Sequence, residues 1–339
     1  MKKRKNINFD VSATEAPSKH VLRTLRDIYS KGYSNPSASY LSARETLGAI
    51  DKARKKVALA LGCDEEEIIF TSGASESNNL VQKNINLDVD GRSHHSIERN
   101  KGLEPHSDVK AIPLIVSETG ELLIDEILEN PEQQYFVDLT QAVGKVEINL
   151  HSIPNIAFAS ASGHKFGGIL GCGILYINKK LNSKIKPLIY GSQEKGLRGG
   201  TYNVPAIICF GEAIEEATKD INKDNKKINK IVNFIYKFLI ENYDLKVKTN
   251  NRVINVTFKS LNSSTAVQLF DKYGVNISAG SACISGQEKP SQAYILSGYS
   301  YDEAMRTIRI SFGKNNKMSE AKMFVQIFKK IVDNYDISC

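Results

Sequence analysis

Short apolar runs that alternate with longer amphipathic stretches constrain the fold of this chain most strongly. Four of these runs occupy residues 67–70, 135–137, 156–159 and 173–177. Apolar runs of this length are typical of strands in a parallel sheet, because helices bury both faces of that sheet. Residues 41–61 carry an apolar stripe at helical spacing, and Gly62 follows as a stop signal. The pattern therefore predicts an α/β domain with a mostly parallel sheet.

Beyond residue 204 the pattern changes. Helices are predicted from Pro205, over 228–239 and over 319–335, and alternating strands are predicted over 253–258 and 308–312. This mixture is typical of an α+β arrangement. The expected division is a large domain at 13–220 and a smaller α+β domain that combines 1–12 with 221–339.

Two ionisable side chains follow neighbouring strands of the predicted sheet. Asp138 comes directly after 135–137, and Lys165 follows 156–159 in the glycine-rich turn 162–168. Ligands of such sheets bind beyond the carboxyl ends of the strands, so both side chains are expected at one site. Pyridoxal phosphate requires a lysine amine for its aldehyde and a carboxylate that keeps its ring nitrogen protonated. The pair therefore predicts a pyridoxal phosphate site.

A glycine turn at 71–78 links the strand at 67–70 to a helix. Its backbone N–H groups and the positive end of the helix dipole favour an anion such as phosphate. Turns of this kind also occur in proteins that bind nothing there. The turn gains weight because it lies at the same edge of the predicted sheet as Asp138 and Lys165.

The five cysteines show no spacing typical of metal sites, and no metal is expected. An odd number of cysteines without an export signal predicts free thiols in a cytoplasmic protein. Cys283 lies in the sequence Ser281-Ala282-Cys283, on a glycine- and serine-rich stretch that suits a loop, and is a candidate nucleophile. The net charge of +7 comes from scattered lysines, so nucleic-acid binding is not expected. No apolar run approaches the length needed to span a bilayer, so no membrane segment is expected either.

Five motifs occur in a fixed order, at residues 71–79, 137–144, 162–165, 196–201 and 280–283. Together they resemble the cysteine desulfurases of the class V aminotransferase family, over residues 7 to about 328. The Ser-Ala-Cys form, and the long stretch between Cys283 and Arg309, resemble the group that includes the iron–sulfur-cluster desulfurases. The resemblance implies the fold of a fold-type I PLP-dependent transferase, with a mostly parallel sheet in the large domain and a smaller α+β domain.

The resemblance also implies a role for each motif residue. Lys165 would carry the cofactor, Asp138 would pair with the ring nitrogen, and Gln141 would contact the ring hydroxyl. The cofactor phosphate would be bound by Ala74, Ser75, Ser162, His164 and Thr201. Since the threonine in this family reaches in from the partner subunit, a homodimer is implied.

Three further roles concern the substrate. His94 would stack on the cofactor ring and assist proton transfer, with the adjacent His95 as the alternative. Arg309 would bind the substrate carboxylate through a two-pronged hydrogen bond. Cys283 would accept the substrate sulfur as a persulfide.

The implied activity converts L-cysteine to L-alanine and passes the sulfur to an acceptor protein, such as an iron–sulfur scaffold or a tRNA-thiolation enzyme. Three alternatives remain open. One is a lyase acting on selenocysteine or cysteine sulfinate, and another is a class V aminotransferase, in which Cys283 would have no task. The third is a pyridoxal phosphate protein with weak or no catalysis that acts as a partner or sulfur relay.

The chain is shorter than the family pattern in two places. One lies between Asn79 and His94, and the larger one lies between Leu123 and Tyr135. The second lacks about 30 residues, the size of one strand–helix crossover unit. In the family this unit carries an Asn-Asn-Glu-Ile-Gly segment, whose asparagine contacts cofactor and substrate. No residue of this chain clearly replaces it.

Overall fold

The computed structural model describes residues 6–97, 109–284 and 287–336, with side chains except at 182–184, 281–284 and 287–288. The chain divides into two compact units. Unit 1 comprises Met1–Ala13, Val116–Leu122 and Asn222–Cys339, and unit 2 comprises Thr14–Ile115 and Leu123–Ile221. The expected division assigned Val116–Leu122 to the large domain, because so short an excursion leaves no change of composition to detect.

The strands are β1 (Ile7–Asn8), β2 (Ile68–Thr71), β3 (Leu87–Val89), β4 (Val109–Pro113), β5 (Gln134–Asp138), β6 (Ile156–Ser162), β7 (Gly173–Ile177), β8 (Lys246–Asn250), β9 (Val253–Thr257), β10 (Val275–Asn276), β11 (Ser278–Ala279), β12 (Ser281–Ile284), β13 (Gln287–Pro290) and β14 (Thr307–Ser311). The α-helices are α1 (Lys19–Lys31), α2 (Leu41–Leu61), α3 (Ala74–Gln82), α4 (Ile124–Leu128), α5 (Val204–Thr218), α6 (Ile221–Asn242), α7 (Ser263–Lys272), α8 (Gln292–Leu296), α9 (Tyr301–Met305) and α10 (Met318–Tyr335). Short 3₁₀ turns cover Glu65–Glu67, Leu150–Ser152, Gly163–Lys165, Lys179–Lys184 and Glu194–Gly196. Among the described residues, no helix is long and apolar enough to cross a membrane.

Unit 2 contains a six-stranded sheet in the order β2-β7-β6-β5-β4-β3. Strands β3, β4, β5 and β6 are parallel, and β7 is antiparallel to both β6 and β2. The prediction of a mostly parallel sheet in an α/β fold is thus confirmed. Strands β3 and β4 were not predicted, because β3 has only three residues and β4 contains both a lysine and a proline.

Helix packing in unit 2 follows the apolar stripes of the sequence. Helix α2 has the predicted bounds, and it buries Ile50, Val57 and Leu61 on one face. Helix α5 buries most of its length, including Phe210, and packs closely against α2. Helices that are apolar over so much of their surface lie within the core of a protein rather than on its exterior. Helices α2 and α5 therefore form one closely packed pair in unit 2.

Unit 1 is built on a four-stranded antiparallel sheet in the order β11-β14-β9-β8. Helices α6, α7 and α10 supply apolar side chains to its core, which contains the aromatic rings of Phe9, Phe270, Phe324 and Phe328. Phe270 and Phe324 stack with ring centroids 5.5 Å apart. This is the smaller α+β unit that the sequence predicted, and strand β14 carries Arg309.

The segment around Cys283 forms a two-stranded antiparallel hairpin of β12 and β13, with Cys283 opposite Glu288. The loop expected there from the glycine and serine content was wrong for the backbone of 281–284. Local composition did not reveal the partner strand, whose backbone supplies the hydrogen bonds. The side chain of Cys283 lies outside the described residues.

Candidate active site

Asp138 is the last residue of β5 and lies at the carboxyl end of the parallel strands of unit 2. Its register neighbours are Pro113 on β4 and Ser160 on β6. The side chain is buried, and one carboxylate oxygen accepts a 2.8 Å hydrogen bond from the backbone N–H of Thr140. Because paired residues of parallel strands face the same side of a sheet, the Ser160 hydroxyl lies on the same face as this carboxylate.

Lys165 is half-buried on the 3₁₀ turn Gly163–Lys165, directly after β6. The Gly168 N–H donates to the Gly163 carbonyl at 2.8 Å, so the chain closes a tight loop around the lysine. A Cβ at position 168 would lie 2.8 Å from that carbonyl oxygen, closer than a side chain allows. Gly167 has φ of 90°, a conformation that favours glycine. The sequence thus fixes the backbone on which Lys165 is mounted.

The start of α3 forms an open set of backbone donors. The first N–H groups of a helix lack intrahelical partners. In the described part of the chain, those of Ala74 and Ser75 have no hydrogen-bond partner. A Cβ placed on Gly73 would lie 3.6 Å from Ser162 Oγ, so this hydroxyl is adjacent to the helix start. The arrangement offers several donors to one anion.

Gly173 brings these two strand ends together. It pairs with Thr71 of β2 on one side and with Ser162 of β6 on the other. A Cβ on Gly173 would lie only 2.5 Å from the Cα of Gly73. Glycine is therefore required here because the helix turn approaches the sheet backbone too closely for any side chain.

His94 follows β3 in a loop, and hydrogen bonds fix its tautomer. The Ser96 N–H donates to His94 Nδ1 at 3.2 Å, so Nδ1 is an acceptor and the neutral ring carries its proton on Nε2. Ser96 Oγ lies 2.8 Å from the same nitrogen, and it accepts a 2.8 Å hydrogen bond from Asn78 Nδ2. The tautomer follows from this pattern of donors.

Burial and neighbouring charges change the pKa of His94. Burial lowers the pKa of His94, the neighbouring His95 and the Lys165 ammonium lower it further, and the Asp138 carboxylate opposes them. By surface area His94 is an exposed residue, and its ring centroid lies 3.9 Å from that of His95. Asp138 and Lys165 follow the adjacent parallel strands β5 and β6, so both lie at the same edge of the sheet. The lowered pKa keeps the ring neutral at pH 7.

The remaining predicted cofactor residues also lie in unit 2. His164 is half-buried, and its Nδ1 lies 2.8 Å from Thr14 Oγ1. Burial and the nearby Lys165 charge lower the pKa of His164. Gln141 is buried, and its side-chain oxygen accepts a 2.7 Å hydrogen bond from Lys145 Nζ.

Thr201 is exposed, after the 3₁₀ turn Glu194–Gly196. It lines a cavity of about 150 Å³ together with Ser72 and Arg198. Arg198 in turn donates a 2.9 Å hydrogen bond to Glu76 on the first turn of α3. The threonine therefore borders the segment that leads into the donor-rich start of this helix.

Two predicted residues, Cys283 and Arg309, belong to unit 1. Arg309 lies on β14 and is buried. Its guanidinium donates to Asp10, Ser117 and Ser278. Sequence reasoning expected this arginine to bind a substrate carboxylate and did not anticipate that the chain supplies a carboxylate of its own.

Sequence reasoning also missed two side chains beside the cluster. Lys145 is buried and holds Gln141, and the spacing of four residues between them was the available signal. Ser96 bridges Asn78 and His94. No local pattern pointed to this bridge, since it joins a helix to a loop 18 residues further on.

The residues present fit pyridoxal phosphate. A buried carboxylate ends β5, a lysine lies on the tight turn directly after the neighbouring strand β6, and a histidine follows β3. An open helix start with a neighbouring serine hydroxyl lies on the same sheet. This donor set matches what an aldehyde, a pyridine nitrogen and a phosphate require.

Residues 7–97 and 100–324 match the class-V aminotransferase family, and the chain belongs to this family. It is similar to the cysteine desulfurase IscS of Methanosarcina thermophila, 29% identical over 377 aligned positions that cover 97% of this chain and 92% of the relative. The resemblance to cysteine desulfurases is thereby confirmed. Since the alignment exceeds the 339 residues of this chain, the chain lacks segments that the relative has.

Solved structures agree with these sequence matches. A NifS-like protein from Rickettsia africae ESF-5 is 26% identical with a TM-score of 0.86, covering 97% of this chain and 99% of that protein. A structure described as SspA in complex with cysteine is 28% identical with a TM-score of 0.74, covering 91% of this chain and 99% of that one. The class-V aminotransferase and cysteine desulfurase family is pyridoxal phosphate-dependent, so the family and the donor set point to the same cofactor.

Proposed function

We propose that this chain is a pyridoxal phosphate-dependent cysteine desulfurase that converts L-cysteine to L-alanine and transfers the sulfur through Cys283. One observation carries the proposal: Asp138 ends β5, Lys165 lies on the turn directly after β6, and these two strands are parallel neighbours in the sheet. Two motif residues that are distant in sequence thus follow the carboxyl ends of adjacent parallel strands, which supports a shared site. The family membership and the similarity to curated cysteine desulfurases support the same activity.

Lys165 would hold the cofactor covalently through its amine, and Asp138 would keep the ring nitrogen protonated. When bound, the cofactor supplies an electron sink for the substrate α-carbon. The buried carboxylate is oriented by the Thr140 N–H, so it presents its second oxygen in a fixed direction. Gln141 would contact the ring hydroxyl while Lys145 holds its side-chain oxygen.

His94 would stack on the cofactor and assist proton transfer. Because Nδ1 accepts from the Ser96 N–H, the neutral ring presents its Nε2–H as a hydrogen-bond donor. The phosphate would be bound by the N–H groups at the start of α3, by Ser162 and by His164. Thr201 is exposed and would serve the phosphate site of a second copy of this chain, which makes the proposed enzyme a homodimer.

The sulfur step uses Cys283 as a thiolate. Its sulfur attacks the sulfur of L-cysteine, the carbon–sulfur bond of the substrate breaks, and that electron pair stays with the substrate carbon. This carbon takes up a proton and becomes the methyl group of L-alanine, while the enzyme retains a persulfide. Arg309 would hold the substrate carboxylate. An acceptor protein would then collect the sulfur.

Three free thiols, Cys63, Cys172 and Cys209, support a reducing compartment, and we propose the cytoplasm. A second candidate function is a cofactor-binding protein with weak turnover. The shortened segment before Tyr135 favours it, because the resemblance assigns a substrate-contacting asparagine to the missing unit.

Cofactor attachment is tested by absorbance at about 420 nm, the region where an internal imine of this cofactor absorbs. We expect the band in the purified protein and its loss in Lys165→Ala. A protein that cannot acquire the band when it is mixed with pyridoxal phosphate would contradict the proposed site.

Turnover is tested by assaying sulfide and alanine with L-cysteine as substrate, in the presence of a thiol reductant that reduces the persulfide on Cys283 and releases its outer sulfur as sulfide. We expect equal amounts of both products and their loss in Cys283→Ser, with the cofactor band unchanged. A bound cofactor with no product would favour the second candidate. Turnover of selenocysteine or cysteine sulfinate alone would identify the lyase, and amino transfer to a keto acid would identify an aminotransferase.

A further inference from the structure

The guanidinium of Arg309 is already occupied by groups of unit 1. Its Nη1 donates to the carbonyl and the hydroxyl of Ser117, at 3.0 and 3.1 Å. Its Nη2 donates to Asp10 Oδ1 at 2.8 Å and to Ser278 Oγ at 2.9 Å. A guanidinium carries four N–H hydrogens on its two Nη atoms. Four acceptors therefore face these four hydrogens.

The fifth donor, on Arg309 Nε, cannot by itself bind both oxygens of a carboxylate. This atom is buried and has no hydrogen-bond partner among the described residues. The whole side chain is only 11% exposed. A carboxylate that binds in the two-pronged manner needs two adjacent N–H groups, so it must displace at least one of the present acceptors.

Asp10 is the acceptor that most resembles a substrate carboxylate. It is the only charged group among the four acceptors described above, and it forms an ion pair with Arg309 at 2.8 Å. Only its Oδ1 contacts the guanidinium, and the same oxygen accepts a 2.7 Å hydrogen bond from Ser278 Oγ. A substrate carboxylate that uses both of its oxygens would fit the Arg309 guanidinium better than Asp10, which uses only one.

We propose that Asp10 is an internal competitor for Arg309, which the substrate carboxylate must displace before it can bind. The inference rests on the proposed function, in which Arg309 holds the substrate carboxylate. Asp10 keeps the guanidinium neutralised while no amino acid is present, and this lowers the fraction of protein that is ready to bind. The apparent dissociation constant rises by the inverse of that fraction. Asp10 thus sets the substrate affinity without touching the reacting atoms.

The test compares L-alanine with ethylamine, which is alanine without its carboxylate. Binding of each to the holoprotein is followed by the change in cofactor absorbance. In Asp10→Asn the amide still accepts a hydrogen bond, but it has lost the charge that competes. We expect the dissociation constant of L-alanine to fall by about three- to tenfold, because charged hydrogen bonds are roughly twice as strong as neutral ones. The dissociation constant of ethylamine should stay within about twofold.

Two further variants keep the test decisive. Asp244→Asn removes an exposed carboxylate that pairs with Lys259 at 3.0 Å, and it should change neither affinity. Ser278→Ala removes the hydroxyl that holds Asp10 Oδ1, and it should tighten L-alanine binding in the same direction but less. This variant answers the question if Asp10→Asn does not fold.

Weaker L-alanine binding in Asp10→Asn would overturn the inference, because Asp10 would then position Arg309 for the substrate. An equal change for ethylamine would also overturn it, since the effect would not depend on the carboxylate. Failure of the proposed function is distinguishable from both outcomes. In that case the unmodified protein itself would show no absorbance change with L-alanine.

Discussion

Two arginines with little side-chain exposure, Arg54 in unit 2 and Arg309 in unit 1, form ion pairs that differ in geometry. Their side chains are 12% and 11% exposed. Arg54 donates to both oxygens of Glu194, at 2.9 and 2.6 Å. Arg309 meets only one oxygen of Asp10, at 2.8 Å. The same pair of chemical groups thus occurs once in a two-pronged and once in a single-oxygen form.

The surroundings of the carboxylates widen this difference. Glu194 is 1% exposed and also accepts a 2.7 Å hydrogen bond from the Phe70 N–H, so its side chain completes the edge of β2. Burial alone would lower the pKa of Arg54, but the contact with Glu194 raises it overall. Asp10 is 20% exposed. The comparison teaches that two similarly buried arginines can hold their carboxylates to different extents, and the Asp10 pair, with one oxygen in use, is the one that a competing carboxylate can displace more easily.

The largest expected effect is on the two-pronged pair. Glu194→Gln leaves the Arg54 charge buried without a counter-charge, so we expect a loss of about 3–5 kcal/mol in the free energy of unfolding. Urea denaturation followed by circular dichroism measures this loss. The double variant Arg54→Met/Glu194→Gln removes the stranded charge and should recover part of it. If the free energy of unfolding of Glu194→Gln equals that of the unmodified protein, the two-pronged pair is not structural and the comparison fails.

A smaller effect is expected for the single-oxygen pair. Asp10→Asn keeps an acceptor for Arg309 Nη2 and for Ser278, so we expect a loss of about 1 kcal/mol or less in the free energy of unfolding. The same urea titration measures it, with Asp244→Asn as the matched exposed control. A loss as large as that of Glu194→Gln would make Asp10 a structural residue and would remove the distinction between the two arginines.

The smallest effect concerns a third pair of intermediate geometry, Arg198 with Glu76, whose two contacts measure 2.9 and 3.4 Å. Burial would raise the pKa of Glu76, but Arg198 and the Ser72 N–H outweigh it and lower the pKa overall. A carboxyl whose pKa is lowered by folding stabilises the protein above its unfolded-state pKa of about 4.3. That contribution is lost as the pH falls through the folded-state pKa.

Glu76→Gln should therefore reduce the free energy of unfolding by about 0.5–1 kcal/mol at pH 7. The difference from the unmodified protein should shrink below pH about 4 and disappear at lower pH. Urea titrations at several pH values check this trend. A difference that grows as the pH falls would have the wrong sign for an ionised Glu76.

The sequence predicted the parts of the molecule that depend on local pattern. Helix α2 stops at Gly62 as expected, and the turn that carries Lys165 is encoded by its glycines. Strand β4 was missed because its lysine and proline interrupt the apolar run. The tertiary context of the sheet overrides such local preferences.

The contacts of the candidate site depend on pairs that are distant in sequence. Arg309 and Asp10 are 299 residues apart, and Arg309 and Ser117 are 192 residues apart. Nothing in the sequence near Arg309 marks these partners. Asp10 precedes the first predicted helix, where an isolated acidic residue carries no signal of its own. Only the folded chain reveals that the fork of this arginine has an internal occupant.

Because Gly173 has no Cβ, strand β7 can lie very close to the start of α3. The backbone of Gly73 approaches Gly173 so closely that a methyl group in between would have a carbon neighbour at 2.5 Å. Only the hydrogen atoms of glycine fit between strand β7 and the residue that precedes α3. Because Gly173 pairs with Ser162, this close approach also keeps Ser162 beside the start of α3. A larger residue at position 173 would move the two apart.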